Sequence, residues 1–271
     1  MEPGDLSPIR RMGGAGEAQH ILHTSSYQRS CPSLFRQKTA YNKLMFEFFL
    51  AVMLVSTLLI LGITRLAEER IIKTHHGQKV SFFAHHPPQP ADIVFLGDSL
   101  TEGARWDELF PGVSIRNRGI INDTSQGVLE RLDSITCGQP VAIFILIGTN
   151  DLPFYAYRSD ADILNNYTQI IQKIRTDSPR TRIFIQSLLP RGRRYARRIR
   201  KLNDELAALA DKHDITFIPL FDHFATRTGA LRPDLTNDSL HLLASGYGIW
   251  AEQLAPHIQI LKTSQPPGST G

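Results

Sequence analysis

The heptapeptide VAIFILI (141–147) constrains this chain more than any other stretch, because in extended conformation it is apolar on both faces. Such a strand must be covered from both sides, which places it at the centre of a parallel sheet. Four further runs share its character: DIVFL (92–96), VSIRN (113–117), RIFIQSL (182–188) and ITFIP (215–219). Between them, apolar residues recur every three or four positions. Ile163, Leu164, Tyr167, Ile170, Ile171 and Ile174 mark a helix within 160–176; Ile199, Leu202, Leu206 and Leu209 mark a second within 197–212. Ser245 to Leu261 reads as a closing helix. This alternation predicts the α/β class, a three-layer α/β/α sandwich around a five-stranded parallel sheet spanning 91–262. In such sheets, functional groups collect beyond the carboxyl ends of the strands.

A second feature stands outside that pattern. FFLAVMLVSTLLILGI (48–63) carries neither charge nor proline, and with its flanks the run from 44 to 66 is long enough to cross a bilayer. Glu47 sits near one end, where a carboxylate reaches the headgroups. A buried core helix is the alternative, but the run is apolar all round and a complete domain follows it. A cleaved signal peptide would need a short basic start and a small-residue cleavage site; here more than forty residues precede the run, unless Met45 is the true start. We therefore expect one transmembrane helix at 44–66, a disordered segment at 1–43, a linker at 67–90 containing HHPPQP, and a frayed tail at 263–271. Arg29, Arg36, Lys38 and Lys43 before the span balance Arg65, Arg70, Lys73 and Lys79 after it. Since a large domain can translocate despite modest flanking charge, the expected arrangement is single-pass, with the C-terminal domain extracytoplasmic. Cys31 and Cys137 then lie on opposite sides of the membrane and cannot pair within one chain.

Charge excludes some functions. Lys and Arg number 30 against 26 Asp and Glu, a net charge of +4, too small to argue for a nucleic-acid partner. Neither the two cysteines nor the pairs His75-His76 and His85-His86 have zinc-site spacing, so no metal is expected. The densest charge is RGRRYARRIRK (191–201), seven cations near a helix start. A solvated face accounts for such a run; contact with anionic headgroups or an acidic polymer is the alternative.

Four short motifs carry the polar chemistry, and each also has a bland reading. In FLGDSLTEG (95–103), Ser99 follows the first strand, and Gly97 permits a tight turn or a close backbone approach; a serine there can equally be a helix cap. In NRGI (117–120), Gly119 can present a bare N–H or simply make a turn. In IGTND (147–151), Asn150 has an amide donor at the end of the central strand, or an Asx turn to make. In DSLHL (238–242), Asp238 and His241 are three residues apart, which in a helical turn brings them to one side. Asp98 and Asp151 read as structural neighbours, while Arg118, beside Gly119, either touches an anionic substrate or makes a solvent-facing salt bridge.

In this order and at these positions, the motifs resemble the SGNH, or GDSL, hydrolase family across residues 91–260. Ser99, Gly119, Asn150 and His241 stand at the family's four namesake positions and Asp238 at its usual acid position. WDELF (106–110), GVLERL (127–132), SLLPRG (187–192) and SLHLLASGYG (239–248) carry a narrower likeness to the platelet-activating-factor acetylhydrolase branch. Where such relatives continue after the glycine with small residues, this chain has Ile120-Ile121-Asn122, which alters the pocket. The resemblance implies an SGNH, flavodoxin-like fold and hydrolysis of a carboxylic ester, O-acetyl or short acyl group on a small-molecule, glycan or lipid substrate. Ser99 is then the nucleophile, His241 its base and Asp238 the imidazole's partner, with an oxyanion hole from Ser99, Gly119 and Asn150 and no cofactor. Acyl transfer to a glycan hydroxyl would use the same serine. A non-catalytic membrane-tethered binding module is the remaining alternative, but it has no chemical need for all five groups.

Overall fold

The computed structural model describes residues 32–153 and 157–263. It divides into two units, Met1–Gly62 and Ile63–Gly271. The first helix, α1 (Pro32–His85), runs through the boundary. Within the first unit, every described side chain from Arg36 onward is exposed. Among the described residues one helix, Arg36–His85, is long and apolar enough to cross a membrane. The expected disordered segment 1–43 lies largely outside the described residues, but Pro32 to Lys43 is helical.

The second unit is the α/β domain. Its strands are β1 (Ile93–Gly97), β2 (Ile115–Gly119), β3 (Ala142–Leu146), β4 (Arg182–Gln186) and β5 (Thr216–Ile218); the last three fall within expected runs, and the first two overlap theirs but continue to the glycines beyond. All pair in parallel, in the order β2-β1-β3-β4-β5. The VAIFILI strand is thus the middle one, and all five of its residues are buried. The helices are α2 (Ser99–Glu102), α3 (Trp106–Leu109), α4 (Ser125–Glu130), α5 (Asp133–Thr136), α6 (Asp160–Asp177), α7 (Ala196–Lys212), α8 (Phe221–Phe224) and α9 (Ala244–Thr263).

Alternate side chains of each strand enter two separate cores. Val94, Leu96, Ile143, Ile145 and Ile185 pack against the apolar stripe of α6 (Ile163, Tyr167, Ile170, Ile174) and of α7 (Ile199, Leu202, Leu206). Ile93, Phe95, Phe144 and Phe184 face the other way, onto Trp106 of α3 and Trp250, Leu254 and Ile258 of α9. That second core is aromatic: Phe95 stacks on Trp106 at 4.0 Å between centroids, Phe144 stacks on Phe184 at 4.3 Å, and Trp250 meets Trp106 edge-on at 5.2 Å. Within it the Trp250 indole N–H is paired, donating to Gln186 Oε1 (2.7 Å). At its start, α6 is closed by a capping box between Ser159 and Asp162.

The expected linker at 67–90 is instead helix as far as His85. From Ile72 on, covered positions recur at helical spacing: Ile72, His75, His76, Lys79, Val80 and Phe83 are partly or fully buried, and Phe83 is only 3% exposed. This stripe docks the end of α1 on the α/β domain within the second unit. The mixture of histidine, lysine and aliphatic residues hides the period from an apolar count.

The strand ends that carry the polar motifs are held close by two glycines. Gly97 and Gly119 are paired in register. A Cβ on Gly97 would lie 2.4 Å from the Leu146 carbonyl oxygen, and one on Gly119 would lie 2.2 Å from the Glu102 nitrogen. The short helix α2 therefore sits directly on the sheet edge. We expect Gly97→Ala to destabilise the domain by about 1–3 kcal/mol through overpacking against backbone that cannot give way. Urea unfolding of the detergent-solubilised chain measures this, and an unchanged midpoint would show that the edge has room to spare.

Candidate active site

The strand order reverses between β1 and β3, which opens a crevice beyond their carboxyl ends. Ser99 emerges from β1 and Asn150 follows β3, so the two flank that crevice. Ser99 is the first residue of α2, and Asp98 caps the helix by accepting from the Leu100 N–H (2.9 Å). The Ser99 Oγ lies 3.0 Å from His241 Nε2, although 142 positions separate them in the chain. His241 Nδ1 lies 2.6 Å from Asp238 Oδ2.

Asp238 and His241 do not sit on a helical turn, because α9 begins only at Ala244. Asp238 Oδ1 accepts the backbone N–H groups of Leu240 (2.9 Å) and His241 (2.8 Å), closing an Asx-type turn. Ser239 takes a left-handed conformation (φ 64°) inside it. The bend returns the imidazole to the carboxylate, the outcome the three-residue spacing was expected to give through a helix. Partial burial pushes the Asp238 pKa up, but hydrogen bonds from the His241 ring and from the two backbone donors outweigh it and hold the carboxyl at about 2. It is ionised wherever an imidazolium forms beside it.

The three expected oxyanion donors differ in availability. Asn150 is buried in a 3-10 turn (Thr149–Asp151) after Gly148, whose φ of 125° turns the chain sharply off β3. Its Nδ2 donates to the Asp123 carbonyl (2.9 Å), which fixes the amide and leaves its second N–H. Gly119, by contrast, donates its N–H to Asn117 Oδ1 (2.9 Å). Asn117 is fixed in turn by donation to the Thr101 carbonyl at the end of α2 (2.9 Å).

Beneath these groups lies a layer of buried charge whose central pair, Asp123 and Arg131, sequence reasoning did not single out. Asp123 pairs with Arg131 at 2.7 Å, each side chain 2% exposed. The Arg131 guanidinium also donates to the carbonyls of Gly97 (3.1 Å) and Arg118 (2.9 Å), pinning the ends of β1 and β2. Arg131 falls in the GVLERL string, but nothing local in the sequence announces a buried guanidinium. Asp151 accepts from Ser125 Oγ (2.8 Å) and the Ser125 N–H (3.0 Å), a structural role like that of Asp98. Arg118 is neither at the surface nor open to substrate. It is 5% exposed, donates to the His86 carbonyl (2.7 Å) and lies 4.6 Å from the Phe83 ring centroid. Burial lowers its pKa to about 10.

The end of α1 reaches the same loop. Glu102 Oε1 accepts from Lys79 (2.8 Å) and lies 2.9 Å from His75 Nε2, while its Oε2 accepts the Ile121 N–H (2.5 Å). His76 stands 3.6 Å from Asp123. The histidines therefore face carboxylates; among the described residues no group of three or more His, Cys, Asp or Glu could hold a metal ion.

Comparison with known proteins follows the geometry. The profile of the GDSL-like lipase/acylhydrolase family matches residues 95–249. Platelet-activating factor acetylhydrolase IB subunit alpha1 of Bos taurus is 28% identical over 188 residues, covering 66% of this chain and 78% of that protein. Subunit alpha2 of Rattus norvegicus is 29% identical over 166 residues, 58% and 71% of the two chains. Among solved structures, one described as a platelet activating factor from Streptococcus pneumonia aligns with a TM-score of 0.66 at 28% identity, covering 73% of this chain and 99% of that one. A GDSL-like lipase from Bacteroides thetaiotaomicron shares the fold, with a TM-score of 0.59 at 22% identity over 68% and 97%.

One buried group makes a pH test. Burial, with the charges of Asp123 and Asp151 added, raises the Asp98 pKa to about 7 against the pull of Leu100 and Arg191. Between about pH 4 and pH 7 the folded chain then holds a proton that the unfolded chain has lost, so this carboxyl makes stability fall as pH rises through that window. Asp98→Asn keeps a capping oxygen and removes the titration. Unfolding midpoints measured across that range should decline less steeply in the variant; parallel profiles would mean that Asp98 is solvated.

Proposed function

This chain belongs to the GDSL-like lipase/acylhydrolase family and is a hydrolase acting on ester bonds; from that premise we propose that it is a membrane-anchored serine esterase working through a Ser99–His241–Asp238 triad and an acyl-enzyme. What supports the reading is the unbroken path of hydrogen bonds from the Asp238 carboxylate through the His241 ring to the Ser99 hydroxyl. A neutral hydroxyl is a poor nucleophile, and the imidazole removes its proton as the oxygen attacks the ester carbonyl. Asp238 fixes the ring and stabilises the imidazolium. His241 then returns the proton to the leaving alcohol, and water repeats the sequence to release the acid.

The negative charge on the carbonyl oxygen is held by the Ser99 N–H and the free N–H of the Asn150 amide. Gly119 joins them by releasing its N–H from Asn117, so the third donor is engaged by the reaction rather than standing ready for it. Short acyl groups are the favoured substrates, in keeping with the acetylhydrolase relatives. The apolar half of α1 anchors the enzyme as a single span at 44–66, with the domain on the extracytoplasmic side.

Ser99→Ala should abolish labelling by a fluorophosphonate and lower p-nitrophenyl acetate turnover by at least about 10³-fold. Asn150→Ala should leave labelling detectable but reduce kcat by about 10²–10³-fold, the usual consequence of removing one oxyanion donor. Wild-type protein that is folded yet takes no label would rule the esterase out.

A further inference from the structure

We propose that Glu102 is a positioning residue for the oxyanion hole: gripped by Lys79 and His75 of α1, its carboxylate holds the loop after Gly119 through the Ile121 N–H. The inference rests on the esterase reading. Glu102 ends α2, the helix that Ser99 begins. Its Oε1 accepts from the Lys79 ammonium (2.8 Å) and lies 2.9 Å from His75 Nε2. Its Oε2 turns the other way, onto the Ile121 N–H (2.5 Å). The second oxygen is thus directed at backbone two residues beyond Gly119 rather than at a further cation. The Glu102 side chain is only 19% exposed, so solvent and salt screen these contacts less than they would at an open surface. Burial pushes the Glu102 pKa up, but hydrogen bonds from Lys79, His75 and the Ile121 N–H outweigh it and keep the carboxyl below its ordinary value.

The loop has need of that hold. Ile121 is exposed, and Asn122 after it takes a left-handed conformation (φ 61°). The Gly119 N–H sits on Asn117 Oδ1 and has to leave it to meet the oxyanion. The next two N–H groups then fix the chain that follows: Ile120 donates to the Gly97 carbonyl (3.1 Å) and Ile121 to Glu102. A bond to an ionised acceptor is the stronger kind, so Glu102 supplies the firmer of the two holds. The same stretch of α1 stands behind the other donor. His76 lies 3.6 Å from the Asp123 carboxylate, and the Asp123 carbonyl accepts from the Asn150 amide (2.9 Å). His75, His76 and Lys79 therefore support both sides of the oxyanion hole without touching substrate. An oxyanion donor acts mainly in the transition state, so a loosened loop lowers kcat and leaves KM nearly unchanged.

The test uses the full chain in detergent, with p-nitrophenyl acetate and its thiono analogue, whose C=S accepts hydrogen bonds more weakly than C=O. The wild type should prefer the oxygen ester, because its hole is built for oxygen. In Glu102→Ala, kcat should fall about tenfold at nearly constant KM, and the preference for oxygen should shrink with it. Lys79→Met should show a smaller drop, about threefold, since His75 remains on Oε1; Lys79→Arg should restore wild-type kcat. Folding is checked by circular dichroism, and Lys79→Met decides the matter if Glu102→Ala does not fold. Lys173→Met, which removes a similarly covered ion-paired lysine from α6, controls for the loss of a salt bridge and should behave as wild type. Wild-type kcat in folded Glu102→Ala or in Lys79→Met, from protein that takes the fluorophosphonate, overturns the positioning role alone. So does a fall in kcat with the oxygen preference intact, which marks a merely structural contact. A wild type that takes no label overturns the esterase reading and this role with it.

Discussion

Parallel strands deliver all their carboxyl ends to one edge, and nearly everything at the candidate site follows from that geometry. Because β3 is apolar on both faces, helices must cover the sheet on both sides, and the chain can leave β1 and β3 only in opposite lateral directions. The crevice between those departures lies between Ser99 and Asn150. A serine hydroxyl and a side-chain amide are thus brought to the same end of the sheet from separate stretches of sequence. The imidazole arrives from the last loop, closing a contact of long sequence separation that only the completed sheet can hold.

The edge is not rigid of itself. Gly97 and Gly119 let α2 press onto it, and the Arg131 guanidinium ties together the carbonyls where β1 and β2 end. A fully desolvated cation is costly unless paired, and Asp123 provides the pairing. The same aspartate holds the Asn150 amide through its backbone carbonyl. One loop residue therefore links the charge that fixes the strand ends to the donor that faces the crevice.

The strands were legible because a buried parallel strand must be apolar, and α6 and α7 because each has one wet face with an uninterrupted stripe opposite. The polar site residues were legible because strand ends and short motifs are local features. Where the sequence reading failed, the deciding partners were distant or the period was chemically mixed. The 67–90 stretch looked like a linker because His75, His76 and Lys79 interrupt its aliphatic positions; only the carboxylates of Glu102 and Asp123 make that face a buried one. Arg118 looked solvent-facing because neither Phe83 nor the His86 carbonyl lies near it in sequence. The Asp238–His241 spacing suggested a helix where an Asx turn does the same work, since both conformations bring such side chains together. Gly119 shows another limit: its backbone position was readable, the acceptor already on its N–H was not.

The docking of α1 moves the border of the folded unit. Residues that come together as one body start at Ile63, in mid-helix, well before the first strand. A fragment cut at residue 91 would be amputated rather than trimmed: Glu102 would lose the Lys79 ammonium and the His75 ring, and Arg118 its aromatic lid, beside the loop that carries Gly119. A protease cutting between 63 and 85 would separate the domain from the apolar half of α1 and strip away part of its own scaffolding in the same stroke.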